Sequence, residues 1–119
     1  MRLIEKFEFR RLGTKDELLK SIAEGRASTF HLKNKRICVV RKGDDFFAMN
    51  DKCPHQGASL GKGVCVEDGL IECPWHKYRF DLKTGRERTG TGDAVRVYKV
   101  DEREDGVYIG FPYLGFSWR

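Results

Sequence analysis

The chain is 119 residues long, 39% hydrophobic and 34% charged, a balance that argues against a disordered polypeptide and against a membrane-embedded one. No stretch approaches the roughly 18 consecutive apolar residues of a membrane-crossing helix, and the opening MRLIEKFEFRR is too charged for a secretory signal. The net charge of +5 comes from 23 basic residues scattered among 18 acidic ones, without the basic runs and interleaved aromatics of single-strand nucleic-acid binders. The expectation is one cytoplasmic domain, residues 1–119, that binds neither nucleic acid nor membrane and offers a basic face to an acidic protein partner.

In chain order, LIEKFEF (Leu3 to Phe9) alternates loosely as a strand. A helix follows: Thr14 can cap it, Glu17 completes a capping box, Leu18, Leu19 and Ile22 line one side, and Gly25 ends it. Its expected place is across a sheet. STFHLK, RICVVRK and DFFAMN then read as strands, with Gly43-Asp44-Asp45 turning between the last two. Further on, AVRVYKV alternates with period two, and the turn DEREDG delivers the chain to VYIGF. The aromatic ending GFPYLGFSWR reads best as a tail folded back over apolar surface, with a docking or dimer contact as the alternative.

Between these lies VCVEDGLIEC, where Asp68-Gly69 signals a two-residue hairpin turn. That register sets Val66 opposite Ile71 and Cys65 opposite Glu72. Alternation then puts Cys65 and Cys73 on opposite faces, so Cys65 is not expected to be a ligand.

The four cysteines are Cys38, Cys53, Cys65 and Cys73, and a reducing compartment favours metal binding over disulfides. Cys38, inside RICVV, reads as a small apolar strand residue, and His31 as an ordinary strand histidine. Cys53-Pro54-His55 and Cys73-Pro74-Trp75-His76 are different. Each pair combines a thiol and an imidazole within a turn whose backbone proline presets, so each supplies half of one inorganic site. A mononuclear zinc ion would accept the same four ligands, but zinc fingers usually separate a Cys pair from a His pair. In a Rieske centre two cysteines hold one iron and two histidines the other, and the interleaved order suits that division.

With these residues in view, the sequence resembles the Rieske ferredoxin family, from Ile37 to Ile109, through Cys53-x-His55, Cys73-x-x-His76 and the flanking NDKCPHQGASL, GLIECPWH and YRFDLKTGR. The resemblance implies a mostly β fold of antiparallel sheets with one short helix and an inserted cluster-binding subdomain, approximately residues 51–82. It implies one [2Fe-2S] cluster, with Cys53 and Cys73 on the buried iron and His55 and His76 on the outer one. It also implies a one-electron carrier, not a catalyst by itself, passing electrons from a reductase to an oxygenase. A nitrite-reductase-like small subunit and a zinc-binding interaction module are the alternatives, and the length argues against an oxygenase catalytic subunit.

Departures from the family narrow the expectation. Ala58 and Trp75 stand where cytochrome bc relatives have a disulfide. Tyr78 and Phe80 stand where those relatives place Ser and Tyr hydroxyl donors to the cluster and its ligand sulfur. Fewer donors to sulfur imply a reduction potential at the low end of the Rieske range, roughly −150 mV or a little above. The outer histidines should hold protons more tightly when reduced, so the potential is expected to fall with pH only in the alkaline range. Lys77 replaces the usual glycine after the second histidine and brings a cation to the site. RTGTGD (Arg88 to Asp93) lacks the proline often found in a third covering loop. Trp75 and Tyr78 are expected to shield the cluster.

Overall fold

Ile37, Cys38, Val39 and Val40 are four successive residues with no solvent exposure, and they show how the molecule is layered. They lie in β3 (Lys35–Lys42) of a six-stranded antiparallel sheet with β1 (Arg2–Gly13), β2 (Ala27–Leu32), β4 (Asp45–Asn50), β8 (Val97–Arg103) and β9 (Gly106–Ser117). The strand order is β1-β9-β8-β4-β3-β2. Ile37 and Val39 pack on one face with Phe46, Ala48, Ile109, the helix residue Leu18 and Ile22 just past the helix end. Cys38 and Val40 pack on the other with Met49, Leu60, Ile71 and Phe80. A strand covered on both faces reads as a continuous apolar run, which is what RICVV is. Burial drives the Cys38 thiol far above its ordinary range, so it is chemically quiet.

The second face is covered by a smaller sheet of β5 (Val64–Val66), β6 (Leu70–Glu72) and β7 (Arg79–Asp81), all from the chain between β4 and β8. The computed structural model describes residues 2–54, 57–67, 69–75, 77–88 and 92–117. His55, His76, Asp68 and residues 89–91 of the RTGTGD loop therefore lie outside the described residues. Among the described residues no helix is long and apolar enough to cross a membrane.

The helix α1 (Lys15–Ser21) has the expected capping box: Glu17 N–H donates to Thr14 Oγ1 at 3.1 Å, and Thr14 N–H donates to Glu17 Oε1 at 2.8 Å. The Thr14 backbone N–H, helped by the Thr14 hydroxyl, holds the Glu17 carboxyl below its usual range. The helix stops before Gly25, with Ile22 already extended. Gly25, at φ +71°, instead turns the chain so that its N–H reaches Arg41 O and its carbonyl accepts Cys65 N–H.

Two strand expectations change in extent. β8 runs on to Arg103, leaving Glu104-Asp105 as a two-residue turn where a longer one was expected. The aromatic ending does not fold back over the sheet. It continues β9 to Ser117 and pairs edge-on with the first half of β1, from Phe7↔Pro112 to Arg2↔Ser117, leaving Leu3, Tyr113, Leu114 and Phe116 exposed. Backbone pairing along an open strand edge satisfies more donors and acceptors than a tail laid across side chains.

Candidate metal centre

Two loops converge on the second face. The first leaves β4 at Asn50 and returns at Leu60, whose N–H donates to Asp51 O at 2.6 Å. The second joins β6 to β7, and Arg79 Nε donates to Glu72 Oε2 at 2.9 Å across its base. Each loop closes on its own cysteine. Cys53 N–H donates to Ala58 O at 2.9 Å and Cys73 N–H to Tyr78 O at 2.7 Å, so each cysteine is joined to the fifth residue beyond it.

These closures set the two thiols side by side under the loops, 0% and 1% exposed, and both are free. Burial drives the Cys73 thiol up to about 11, the Trp75 backbone N–H donates to its sulfur and acts the other way, and the neighbouring Cys53 thiol reinforces the rise. A metal ion between two adjacent buried sulfurs would supply the positive charge that lets them bind as thiolates, and iron can do so. The donor set that the described residues provide therefore fits a sulfur-bound metal. Among those residues no group of three or more metal-binding side chains forms, because His55 and His76 fall outside them.

The hairpin between the loops departs from the expected register. Val66 pairs with Leu70, Cys65 with Ile71 and Val64 with Glu72, so residues 67–69 form a three-residue loop, with Gly69 at φ +70°. The extra loop residue suits a turn that ends on a left-handed glycine. The shift puts Cys65 on the same face as Ile71, so the alternation argument that separated Cys65 from Cys73 fails. Cys65 is instead engaged elsewhere: its Sγ lies 3.7 Å from Arg41 O, and burial raises its pKa.

Trp75 stands 58% exposed, whereas Tyr78 is half-buried and packs on the apolar cluster around the cysteines. Phe80 is wholly buried opposite Ile71 and carries no hydroxyl to donate. His31 lies exposed on β2.

Sequence reasoning missed Asp51. Its carboxylate is 1% exposed and accepts four hydrogen bonds: Thr29 Oγ1 at 2.9 Å and Gly61 N–H at 2.8 Å on Oδ1, Arg36 Nη2 at 2.8 Å and Ser59 Oγ at 2.7 Å on Oδ2. It lies two residues before Cys53 and ties the first loop to β2 and β3. Gly61 has to be glycine, because a Cβ there would collide with Thr29 Oγ1 and come within 2.9 Å of Asp51 Oδ1. An acid beside the first cysteine was the available signal, but the partners that make it a buried hub come from three other segments.

Two matched loops, each placing one buried thiol against the other beneath a β framework, define a small β protein that holds an inorganic centre between loops. Residues 14–99 match the family model described as a Rieske [2Fe-2S] domain. The ferredoxin subunit of anthranilate 1,2-dioxygenase from Burkholderia cepacia is 38% identical over 94 residues, covering 78% of this chain and 82% of that one. Among solved structures, the ferredoxin of carbazole 1,9a-dioxygenase from Nocardioides aromaticivorans IC177 aligns at TM-score 0.73 and 30% identity, covering 85% of this chain and 95% of that one. A ferredoxin–oxygenase complex of carbazole 1,9a-dioxygenase aligns at 0.70 and 26%, covering 85% and 91%. A nitrite reductase small subunit from Mycobacterium tuberculosis aligns at 0.78 but 18%, covering 89% and 96%, which shows a shared fold alone. The chain belongs to the Rieske [2Fe-2S] domain family, and its cofactor is a Rieske-type [2Fe-2S] cluster.

Proposed function

We propose that this protein is a one-electron carrier that takes electrons from a reductase and delivers them to an oxygenase, working in the cytoplasm and catalysing no reaction by itself. The observation that carries the reading is the pair of free, buried thiols brought together by two loops with the same closure. Cys53 and Cys73 would hold the inner iron, and His55 and His76 the outer one. The cluster, when bound, supplies a centre that gains or loses one electron without making or breaking a substrate bond.

The chain's own contribution is to exclude water and hold the sulfurs in place. Met49, Leu60, Ile71, Phe80 and Leu82 surround the cysteines with apolar surface. Removing water lowers the dielectric around the extra electron, and the lack of a hydroxyl at Phe80 leaves the reduced state with fewer donors. We take the segment of residues 51–82 as the cluster-binding unit; it rests on β3 and β4 and shares their core.

Anaerobically purified protein should contain iron and acid-labile sulfide in equal amounts and, once reduced by dithionite, give a paramagnetic signal with average g near 1.9, a value the family resemblance leads one to expect. Its midpoint potential should lie near the low end of the Rieske range, roughly −150 mV. Protein that binds zinc without sulfide would refute the carrier, and a clearly positive midpoint would refute the low-potential assignment. A nitrite-reductase-type subunit would instead require a large catalytic partner, and failure of any oxygenase to reoxidise the reduced protein would point that way.

A further inference from the structure

Counted from their cysteines the two loops share the closing bond at the fifth residue and a left-handed backbone at the fourth, which exposes an anomaly there. In the first loop that residue is Gly57, at φ +69°; in the second it is Lys77, at φ +57°. Residues with a Cβ rarely adopt this left-handed backbone. The other non-glycine residues with positive φ among those described, Lys33 and Asn34, form the two-residue turn joining β2 and β3, where such a backbone is the usual solution. Lys77 has no such excuse, since Gly57 shows that glycine fills the equivalent place. Its side chain is exposed and, among the described residues, its ammonium joins no ion pair. Nothing in the folding of the loop rewards a lysine there.

The unpaired exposed charge on the two loops is positive. The first loop carries Lys52, with Lys62 just beyond it, and the second carries Lys77; Arg79 at the second loop's base is paired with Glu72, and Asp51 is buried in its own hydrogen bonds. Lys52 Cε would lie 3.4 Å from a Cβ at Gly57, so the first loop also carries a lysine stem against its glycine. The exposed Trp75 ring stands two residues from Lys77. Strained backbone kept at a site is a pointer to function, and an exposed aromatic among cations is a recognisable docking element.

We infer that Lys77 is kept in this backbone for its charge, and that with Lys52 and Trp75 it makes the loop tips a docking face for the acidic surface of a redox partner. The inference rests on the carrier reading above. A fixed cation beside the electron's exit draws anionic acceptors in and repels cationic ones. Neutralising it should reverse both effects.

The test uses the cluster-loaded protein reduced with one electron, together with K77G and K77E, in stopped-flow reaction with ferricyanide and separately with hexaammineruthenium(III). Each oxidant removes one electron and no proton. In K77G at low ionic strength the ferricyanide rate should fall roughly threefold to tenfold and the ruthenium rate should rise, with K77E displaced further the same way and the differences fading near 1 M salt. K77G should also melt a few degrees higher than the wild type, because glycine relieves the backbone. An unchanged ratio of the two rates in a protein that carries its cluster would overturn the docking face alone. A lower melting temperature in K77G would remove the strain argument, and wild-type protein without a cluster signal would overturn the carrier reading and this one with it.

Discussion

Removal of the Asp51 carboxylate is the sharpest test of how the first loop is held. In Asp51→Ala the Gly61 N–H loses its acceptor in a buried place, Thr29 and Ser59 keep only each other at 3.2 Å, and Arg36 loses its carboxylate. An orphaned buried donor costs about 1–3 kcal/mol, and breaking a buried charge pair by deleting one partner costs about 3–5 kcal/mol in total. Because the Arg36 side chain is 59% exposed and can turn to water, the lower part of that range applies, about 3 kcal/mol. Asp51→Asn keeps the shape and one carbonyl oxygen for Gly61 N–H, but turns an amide N–H₂ toward Arg36, so about 2 kcal/mol is expected. Arg36→Ala leaves three donors on the carboxylate and should cost about 1 kcal/mol. Urea unfolding of the cluster-loaded proteins, followed by far-ultraviolet circular dichroism and by visible absorbance, gives the three values. A loss below about 1 kcal/mol in Asp51→Ala, or an Arg36→Ala loss as large as that of Asp51→Ala, would refute the hub.

Further outcomes follow from other residues. Cys65→Ala should keep its full iron and sulfide content while Cys73→Ala loses both, as elemental analysis would report; iron loss in Cys65→Ala would make Cys65 a ligand. Gly61→Ala should destabilise by about 3 kcal/mol in the same urea assay, since the new methyl meets Asp51 and Thr29, which other bonds hold in place. Thr14→Ala should cost about 1 kcal/mol through loss of the helix cap. Asp81 accepts the Thr84 and Lys83 N–H groups, and these bonds hold its carboxyl below the usual carboxylate range. A depressed pKa contributes stability above the unfolded value of about 3.9 and loses it as the pH falls through the folded one. Asp81→Asn should therefore flatten the acid limb of the stability curve below about pH 4, and an unchanged limb would argue against those bonds.

The candidate chemistry and most of the framework were legible in the chain, because both depend on short-range patterns. Two Cys-Pro motifs with histidine at short spacing point to a metal site shared between two loops, and a capping box announces a helix start through bonds between residues three apart. Strand β4 falls where DFFAMN reads, since alternation and a glycine turn are local. What the tertiary structure decided involves segments far apart in the chain. The β5–β6 register slips by one because the preference for a two-residue turn yields to a three-residue loop closed by Gly69. The C-terminal segment lies along β1 instead of over the sheet because the free edge of a strand more than a hundred residues away offers it hydrogen bonds. Asp51 becomes a hub only when Thr29, Arg36, Ser59 and Gly61 arrive around it, and buried polar networks of that kind are specified by the fold as a whole.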